Sequence, residues 1–307
     1  MVLIHVKYGD DSQFLYEASL ETPVDECTLN ITSIYNGRLK ISRICSEMEE
    51  LRKHGTLLPP EIMGLTDEQV VELKLIDKWG EKCIPSGGYS FNKDPIGRRN
   101  GKQPNEKMQN VLTKTIEEAK ACVSKKLVQS QIPLTQKKVQ EALDILRGAI
   151  MIVYPMNLPP HDNIRLEIEN NEDLTGTHAS KEVIAPNVAQ LWFSGRELLR
   201  EPNKKMKDYL GRNEKTKVVL KLTKTGSGPP AREPPLSEQD RKLLMAEAFK
   251  KQEELKFENL GHKLEVFKTT SALRPPGKLH SRQKILNLII DQKKGQVDCG
   301  LLILWYT

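Results

Sequence analysis

The order of its hydrophobic periods constrains this 307-residue chain more than any motif in it. Strand texture stands near the start, in Val2-Leu3-Ile4-His5-Val6, and far downstream, where Val218, Leu220 and Leu222 alternate within Lys217–Thr223. Gly9-Asp10-Asp11 offers a turn and Phe14-Leu15-Tyr16 a second strand, so the first residues read as a hairpin. Between these ends the period is mostly that of helices. Val24 to Tyr35 reads as a short helix stopped by Asn36-Gly37, and Ile41, Ile44, Cys45, Met48 and Leu51 form an apolar stripe at i, i+3, i+4, i+7. Thr66-Asp67-Glu68-Gln69 is a capping box that opens a helix with Val70, Leu73 and Leu75. Asn105 caps a helix whose stripe runs from Met108 to Val123, and Thr135 opens another, with Val139, Ala142, Leu143 and Leu146, that Gly148 should stop. The unbroken run Ala149–Tyr154 predicts a buried strand, and Ile164, Leu166 and Ile168 predict a strand with one solvated face. A further helix is predicted from Pro186 to Arg200, with Trp192 inward.

Strands at both ends of a helical middle, with no repeating βαβ unit, give an α+β class. The expected architecture is a small mixed, β-grasp-like sheet interrupted by a helical insertion. Residues 1–225 form this core, with a mobile loop near 79–104 where glycines and prolines forbid a long regular element. A Pro/Gly linker at 226–236, a charged helix at 237–256 and a basic and apolar tail at 257–307, expected to be disordered, complete the chain.

Composition narrows the function. The net charge is +6 and apolar residues make up 38%. Residues 1–150 are electrically neutral, whereas 256–307 carry nine basic and four acidic residues. The core therefore has no basic stripe for a duplex, and only 5% of the residues are aromatic, with no stacking ladder for single strands. No nucleic acid and no membrane are expected as partners. Neither a secretory leader nor a membrane span of about 20 apolar residues is expected. The five cysteines, Cys27, Cys45, Cys83, Cys122 and Cys299, are widely spaced and read as reduced thiols, with Cys83 the most exposed of them.

The search for chemistry returns little. Gly97-Arg98-Arg99-Asn100-Gly101-Lys102 is followed by Gln103, which breaks the phosphate-loop pattern. The six histidines are scattered without the spacing of a metal site, and no Ser or Cys nucleophile motif occurs. No catalytic residue, metal or cofactor is assigned, and a small-molecule ligand is not expected. Trp79, at a helix–loop junction, and Arg98 and Arg99, at a predicted loop tip, are the candidate partner-binding residues, the arginines for an acidic surface.

Longer stretches carry a resemblance. They include Tyr35-Asn36-Gly37-Arg38-Leu39-Lys40, Cys45-Ser46-Glu47-Met48-Glu49-Glu50-Leu51, Trp79-Gly80-Glu81-Lys82-Cys83 and Ile96-Gly97-Arg98-Arg99-Asn100-Gly101. Pro104-Asn105-Glu106-Lys107-Met108, Met151-Ile152-Val153-Tyr154-Pro155-Met156 and Ala231-Arg232-Glu233-Pro234 follow in order. In these the chain resembles the Kurly family of cilia- and flagella-associated proteins over about residues 1–256. The resemblance implies a non-enzymatic role in motile cilia: an adaptor or assembly factor for axonemal dynein arms that also affects cilium orientation. The implied partners are chaperones and other dynein-arm assembly factors. The implied location is the cytoplasm, then the ciliary base or cilium. The ending, 257–307, departs from the family pattern and is expected to be an alternative terminus. A nucleotide-binding or hydrolytic enzyme with an unrecognised site is the competing expectation.

Overall fold

The computed structural model describes residues 1–214 and 216–231, together with individual positions between 238 and 253. The chain divides into two units, residues 1–233 and 234–307. In the second, the described positions are helical, with Leu243, Met245 and Phe249 exposed. The tail predicted at 257–307 and the linker beyond Ala231 lie outside the described residues.

In the first unit, β1 (Val2–Tyr8) buries Val2, Ile4 and Val6 in strict alternation, and β2 (Asp11–Ala18) returns antiparallel to it, Val2 opposite Ala18 and Tyr8 opposite Asp11. The chain then enters α1 (Val24–His54), which spans 31 residues. Two short helices, α2 (Asp67–Glu72) and α3 (Lys78–Lys82), precede a small hairpin of β3 (Tyr89–Phe91) and β4 (Lys102–Pro104). Next come α4 (Glu106–Cys122), a 3-10 turn at Lys125–Val128, α5 (Gln136–Val153), α6 (Asn163–Glu169) and α7 (His178–Glu182). The sheet resumes with β5 (Ala189–Phe193) and β6 (Arg196–Leu198), and after α8 (Met206–Leu210) it closes with β7 (Lys217–Lys224).

The strand order is β2-β1-β7-β5-β6. β1 and β7 are parallel, Leu3 opposite Lys217 and Tyr8 opposite Leu222, and an antiparallel hairpin flanks them on each side. With α1 packed against this mixed sheet, the order is that of a β-grasp, as the sequence predicts. Everything between His54 and Ala189 is inserted into it. The apolar faces of α1, α4 and α5 merge with the sheet in one core that includes Ile4, Ile31, Ile44, Met48, Leu112, Leu146 and Leu220, each essentially inaccessible to water. The edge of β2 is covered where Leu134 N donates to Leu15 O, which protects a strand that would otherwise offer unpaired backbone groups.

Several expectations are corrected. α1 runs straight through Asn36-Gly37. A Cβ on Gly37 would lie 2.5 Å from Val139 Cγ1, so this glycine permits the close approach of α5 and does not end the helix. The Asn36 amide serves another partner, donating to Ile184 O (2.6 Å) and accepting from Ile184 N (3.1 Å). Gly148 does not stop α5 either, and Ala149–Val153 is its last turn and not a strand. There Ala149, Ile150 and Val153 are buried while Met151 and Ile152 are exposed, a helical and not an alternating pattern. The strand predicted around Ile164–Ile168 is α6, with Asp162 as N-cap and Asn170 as a left-handed C-cap. The helix predicted at Pro186–Arg200 is the β5–β6 hairpin: Ser194 (φ 50°) and Gly195 (φ 81°) make a two-residue turn with both φ positive. Trp192 is half-buried on β5 and its Nε1 donates to Thr223 Oγ1 at 3.0 Å.

The link from β2 into α1 is clasped by the start of α8. Met206 N donates to Thr22 O, Lys207 N to Leu20 O and Val24 N to Lys204 O. Glu21 accepts from Lys205 Nζ at 2.8 Å and Lys207 Nζ at 2.9 Å, and these two lysines hold its carboxyl down from 4.5 to about 2. A depressed carboxyl pKa stabilises the fold above the unfolded value and loses that contribution as pH falls through the folded value. Glu21→Gln should therefore lower the melting temperature slightly at pH 6 and not at pH 2, with the two melting curves converging between about pH 4.5 and 2. The effect is small because the pair is exposed.

Candidate protein-docking surface

The insertion begins at a sharp exit from α1. Gly55 follows the last turn with φ 76° and ψ −159°, and its N–H donates to Leu51 O. The chain then bends at Thr56, and Leu57 bridges antiparallel to Arg99, so that the 94–101 turn is laid against it. Leu58 N donates to Arg98 O (2.9 Å), Asn100 N to Thr56 O (3.0 Å) and Gly101 N to His54 O (2.8 Å). The Asp94 carboxylate gathers this turn by accepting from the amides of Ile96, Arg98 and Arg99. Burial alone would raise its pKa, but these three bonds outweigh it and hold the carboxyl below its usual range.

Arg99 points inward. Its side chain is 3% exposed, with Nη1 donating to Gly55 O (2.8 Å) and Nη2 to Glu47 Oε2 (2.5 Å) and Glu47 O (3.2 Å). Nη1 also lies 4.0 Å from Asp162 Oδ2. Asp162 is fully buried, accepts from Leu57 N and Ile164 N, and so ties the exit of α1 to the start of α6. Burial pushes its carboxyl above the usual range, with Arg99 opposing the shift. The predicted role of Arg99 at an exposed loop tip is thus corrected in its placement, because Glu47 and Asp162 draw the guanidinium into the interior. Arg98 stays at the surface, 43% exposed, with Nη2 3.6 Å from Glu47 Oε1. Cys83, read as the most exposed thiol, is buried, and desolvation raises its pKa.

Residues 61–104 form a spur held down by this polar knot. It contains α2, α3 and the β3–β4 hairpin, and between 79 and 104 these elements are short, α3 of five residues and β3 and β4 of three each. Thr66 and Gln69 make the predicted capping box. Lys102 Nζ donates to Gly80 O (2.7 Å) and sits 5.3 Å from the centre of the Tyr89 ring, which joins α3 to the hairpin. On Gly101 a Cβ would meet the Phe91 ring at 3.0 Å.

This spur carries apolar side chains that nothing among the described residues covers. Val71 is 76% exposed, Ile76 68%, and Phe91 and Ile96 each 72%, with Leu73 and Tyr89 also exposed. Trp79 is 38% exposed, with Lys82 Nζ 5.3 Å from its ring centre. Through Lys102 the structure joins Gly80, the residue after Trp79 in α3, to Tyr89, and it leaves Arg98 on the α1 side and Arg99 inside. Val71, Leu73, Ile76, Tyr89 and Phe91 were missed in the sequence. A signal was present: Val70, Val71, Leu73, Leu75 and Ile76 surround less than two turns, and so short a helix cannot bury them all on one face.

Elsewhere, a groove of about 350 Å³ between α1, α6 and residues 172–179 is lined by Arg43, Glu47, Glu167 and Glu172. Its charges are taken up, Arg43 gripping Glu167 through Nε and Nη2 at 2.5 and 2.9 Å, Lys40 meeting Glu172 and Arg99 meeting Glu47. Among the described residues no group of three or more His, Cys, Asp or Glu is placed to hold a metal ion. No helix among them is long and apolar enough to cross a membrane.

Comparison with known proteins agrees with a likeness to cilia- and flagella-associated proteins. The profile of cilia- and flagella-associated protein 298 matches residues 189–264. The protein of that name from Mus musculus is 59% identical over 240 residues, 78% of this chain and 82% of the relative. The Homo sapiens protein is 59% identical over 237 residues, covering 77% and 81%. The one from Drosophila melanogaster is 56% identical over 256 residues, covering 83% and 87%. No solved structure matches. At this identity and coverage the chain belongs to the cilia- and flagella-associated protein 298 family.

Proposed function

We propose that this chain is a non-enzymatic adaptor in the assembly of axonemal dynein arms, required for motile cilia and for cilium orientation, and that it works by protein–protein contact. Its partners in this reading are chaperones and dynein-arm assembly factors, met in the cytoplasm and as far as the ciliary base or cilium. Family membership supports the ciliary setting. The observation that carries the adaptor reading is the spur. Exposed single apolar residues are ordinary on a protein surface, but a run of them on one segment marks an interaction site. Val71, Leu73, Ile76, Trp79, Tyr89, Phe91 and Ile96 fall within 26 consecutive residues, in a chain that is 38% apolar. Aromatic anchors such as Trp79 are the residue type that contributes most where proteins bind.

Proximity labelling in multiciliated cells tests the proposal. Full-length protein should label dynein-arm assembly factors and chaperones, and the double variant Trp79→Ala/Ile76→Ala should lose that labelling while keeping its melting temperature. Equal labelling by both forms would reject the spur as the adaptor surface.

A further inference from the structure

The spur as a whole is electrically balanced, but its first half, residues 61–82, is acidic, and that half also carries Val71, Leu73 and Ile76. Residues 61–82 hold six acidic residues, Glu61, Asp67, Glu68, Glu72, Asp77 and Glu81, against three basic ones, Lys74, Lys78 and Lys82. Asp77 is occupied in capping α3, where it accepts from the amides of Trp79 and Gly80, and Lys82 stacks on Trp79. Glu61, Glu68, Glu72 and Glu81 are exposed. None of these four makes an ion pair or a side-chain hydrogen bond with a described residue. Lys74 and Lys78 are exposed and likewise without such a contact to a described residue, so four carboxylates stand against two ammonium groups and this segment keeps a net negative charge. On α2 the positions Glu68, Val71 and Glu72 follow i, i+3, i+4, so acid and apolar groups share one face.

We infer that the spur binds a basic amphipathic segment of a partner protein, whose apolar side chains cover Val71, Leu73 and Ile76 and whose lysines or arginines pair with Glu61, Glu68 and Glu72. The inference rests on the adaptor reading and adds the partner's chemistry to it. Unpaired carboxylates beside uncovered apolar groups set the sign: they attract a cationic segment and repel an acidic peptide, a phosphate backbone or an anionic lipid surface. An apolar face at i, i+3, i+4 on the partner suits a short helical docking site, and the charges fix its register and speed its approach. This is the opposite sign to the acidic partner expected from Arg98 and Arg99, and the difference follows from the loss of Arg99 to the interior.

Fluorescence anisotropy on the full chain tests it with three probes: a labelled amphipathic helical peptide of leucine and lysine, the same peptide with glutamate in place of lysine, and vesicles of phosphatidylserine in phosphatidylcholine. The lysine peptide should bind, and neither of the others should. Val71→Ser/Ile76→Ser should weaken binding about tenfold. Glu68→Lys/Glu72→Lys should weaken it about three- to tenfold at low salt and remove most of its salt dependence. All four positions are exposed, so unchanged melting curves will confirm that the variants fold. Binding of the glutamate peptide or of the vesicles with equal strength, no binding of the lysine peptide, or indifference to both double variants would overturn the inference. Its failure is separable from failure of the adaptor reading, which is decided in cells by labelling of assembly factors and not by the charge of a peptide.

Discussion

Arg99→Met is expected to destabilise the folded core by about 3–5 kcal/mol, the range for breaking a buried charge pair from one side. The methionine replaces much of the side-chain volume but none of the donors. It leaves Gly55 O without its guanidinium donor and Glu47 Oε2 without its 2.5 Å bond. The larger part of the cost comes from Asp162, fully buried and with the Arg99 guanidinium opposing its desolvation. With the cation gone, its carboxyl is driven further upward and is relieved only by taking up a proton. The deficit should therefore be larger at pH 8 than at pH 5. Urea unfolding at the two pH values reads it as a shift of midpoint at constant slope. Arg98→Met, one residue away but 43% exposed and 3.6 Å from Glu47, should change stability by less than about 1 kcal/mol. A deficit for Arg99→Met that matched that of Arg98→Met, or that did not depend on pH, would contradict the polar knot described above.

Gly55→Ala is expected to cost about 3–5 kcal/mol through two separate penalties. At φ 76° and ψ −159° the backbone lies in a region open essentially to glycine alone, worth about 1–3 kcal/mol for any other residue. In addition, a Cβ would lie 2.4 Å from Lys102 O and 2.6 Å from Asn100 Oδ1, so β4 and the 94–101 turn would have to move away from the end of α1. Gly211→Ala separates the two contributions. Gly211 has nearly the same backbone, φ 81° and ψ −167°, yet nothing lies within 4 Å of its added Cβ. It should lose only the conformational part, about 1–3 kcal/mol. Equal losses at the two glycines would mean that the spur is not packed against the exit of α1.

These two sites also mark what was legible in the sequence. Local signals read correctly: Thr66, Asn105 and Thr135 each cap the helix they were expected to open. The alternation of β1 and β7 placed the sheet at both ends of the chain, and the α+β class with a long insertion followed from it. Errors arose where a side chain answers to a distant partner. Asn36-Gly37 has the composition of a helix stop, but Asn36 is bonded to Ile184 and Gly37 makes room for Val139. Ala149–Tyr154 is apolar enough for a buried strand, and only the exposure of Met151 and Ile152 shows that it is the end of a helix. In the hairpin of β5 and β6 the turn residues Ser194 and Gly195 were the available signal, overridden by the helical spacing of Val188, Leu191 and Trp192.

The candidate site divides in the same way. Trp79 was legible as a large aromatic at a junction. The burial of Arg99 was not, since Glu47 and Asp162 lie far from it in sequence and meet it only when α1, α6 and the 94–101 turn come together. The exposure of Val71, Leu73 and Ile76 was hidden for the opposite reason. Apolar residues after a good cap are ordinarily core, and only their crowding onto so short a segment says that the core cannot reach them all.

The central claim is that a β-grasp core presents the spur for docking in dynein-arm assembly. The most direct measurement is a rescue experiment in ciliated cells lacking this chain, with dynein arms scored in axoneme cross-sections by electron microscopy. Wild-type protein should restore the arms, and Val71→Ser/Ile76→Ser, folded and expressed at the same level, should not. Full restoration by that variant would contradict the account.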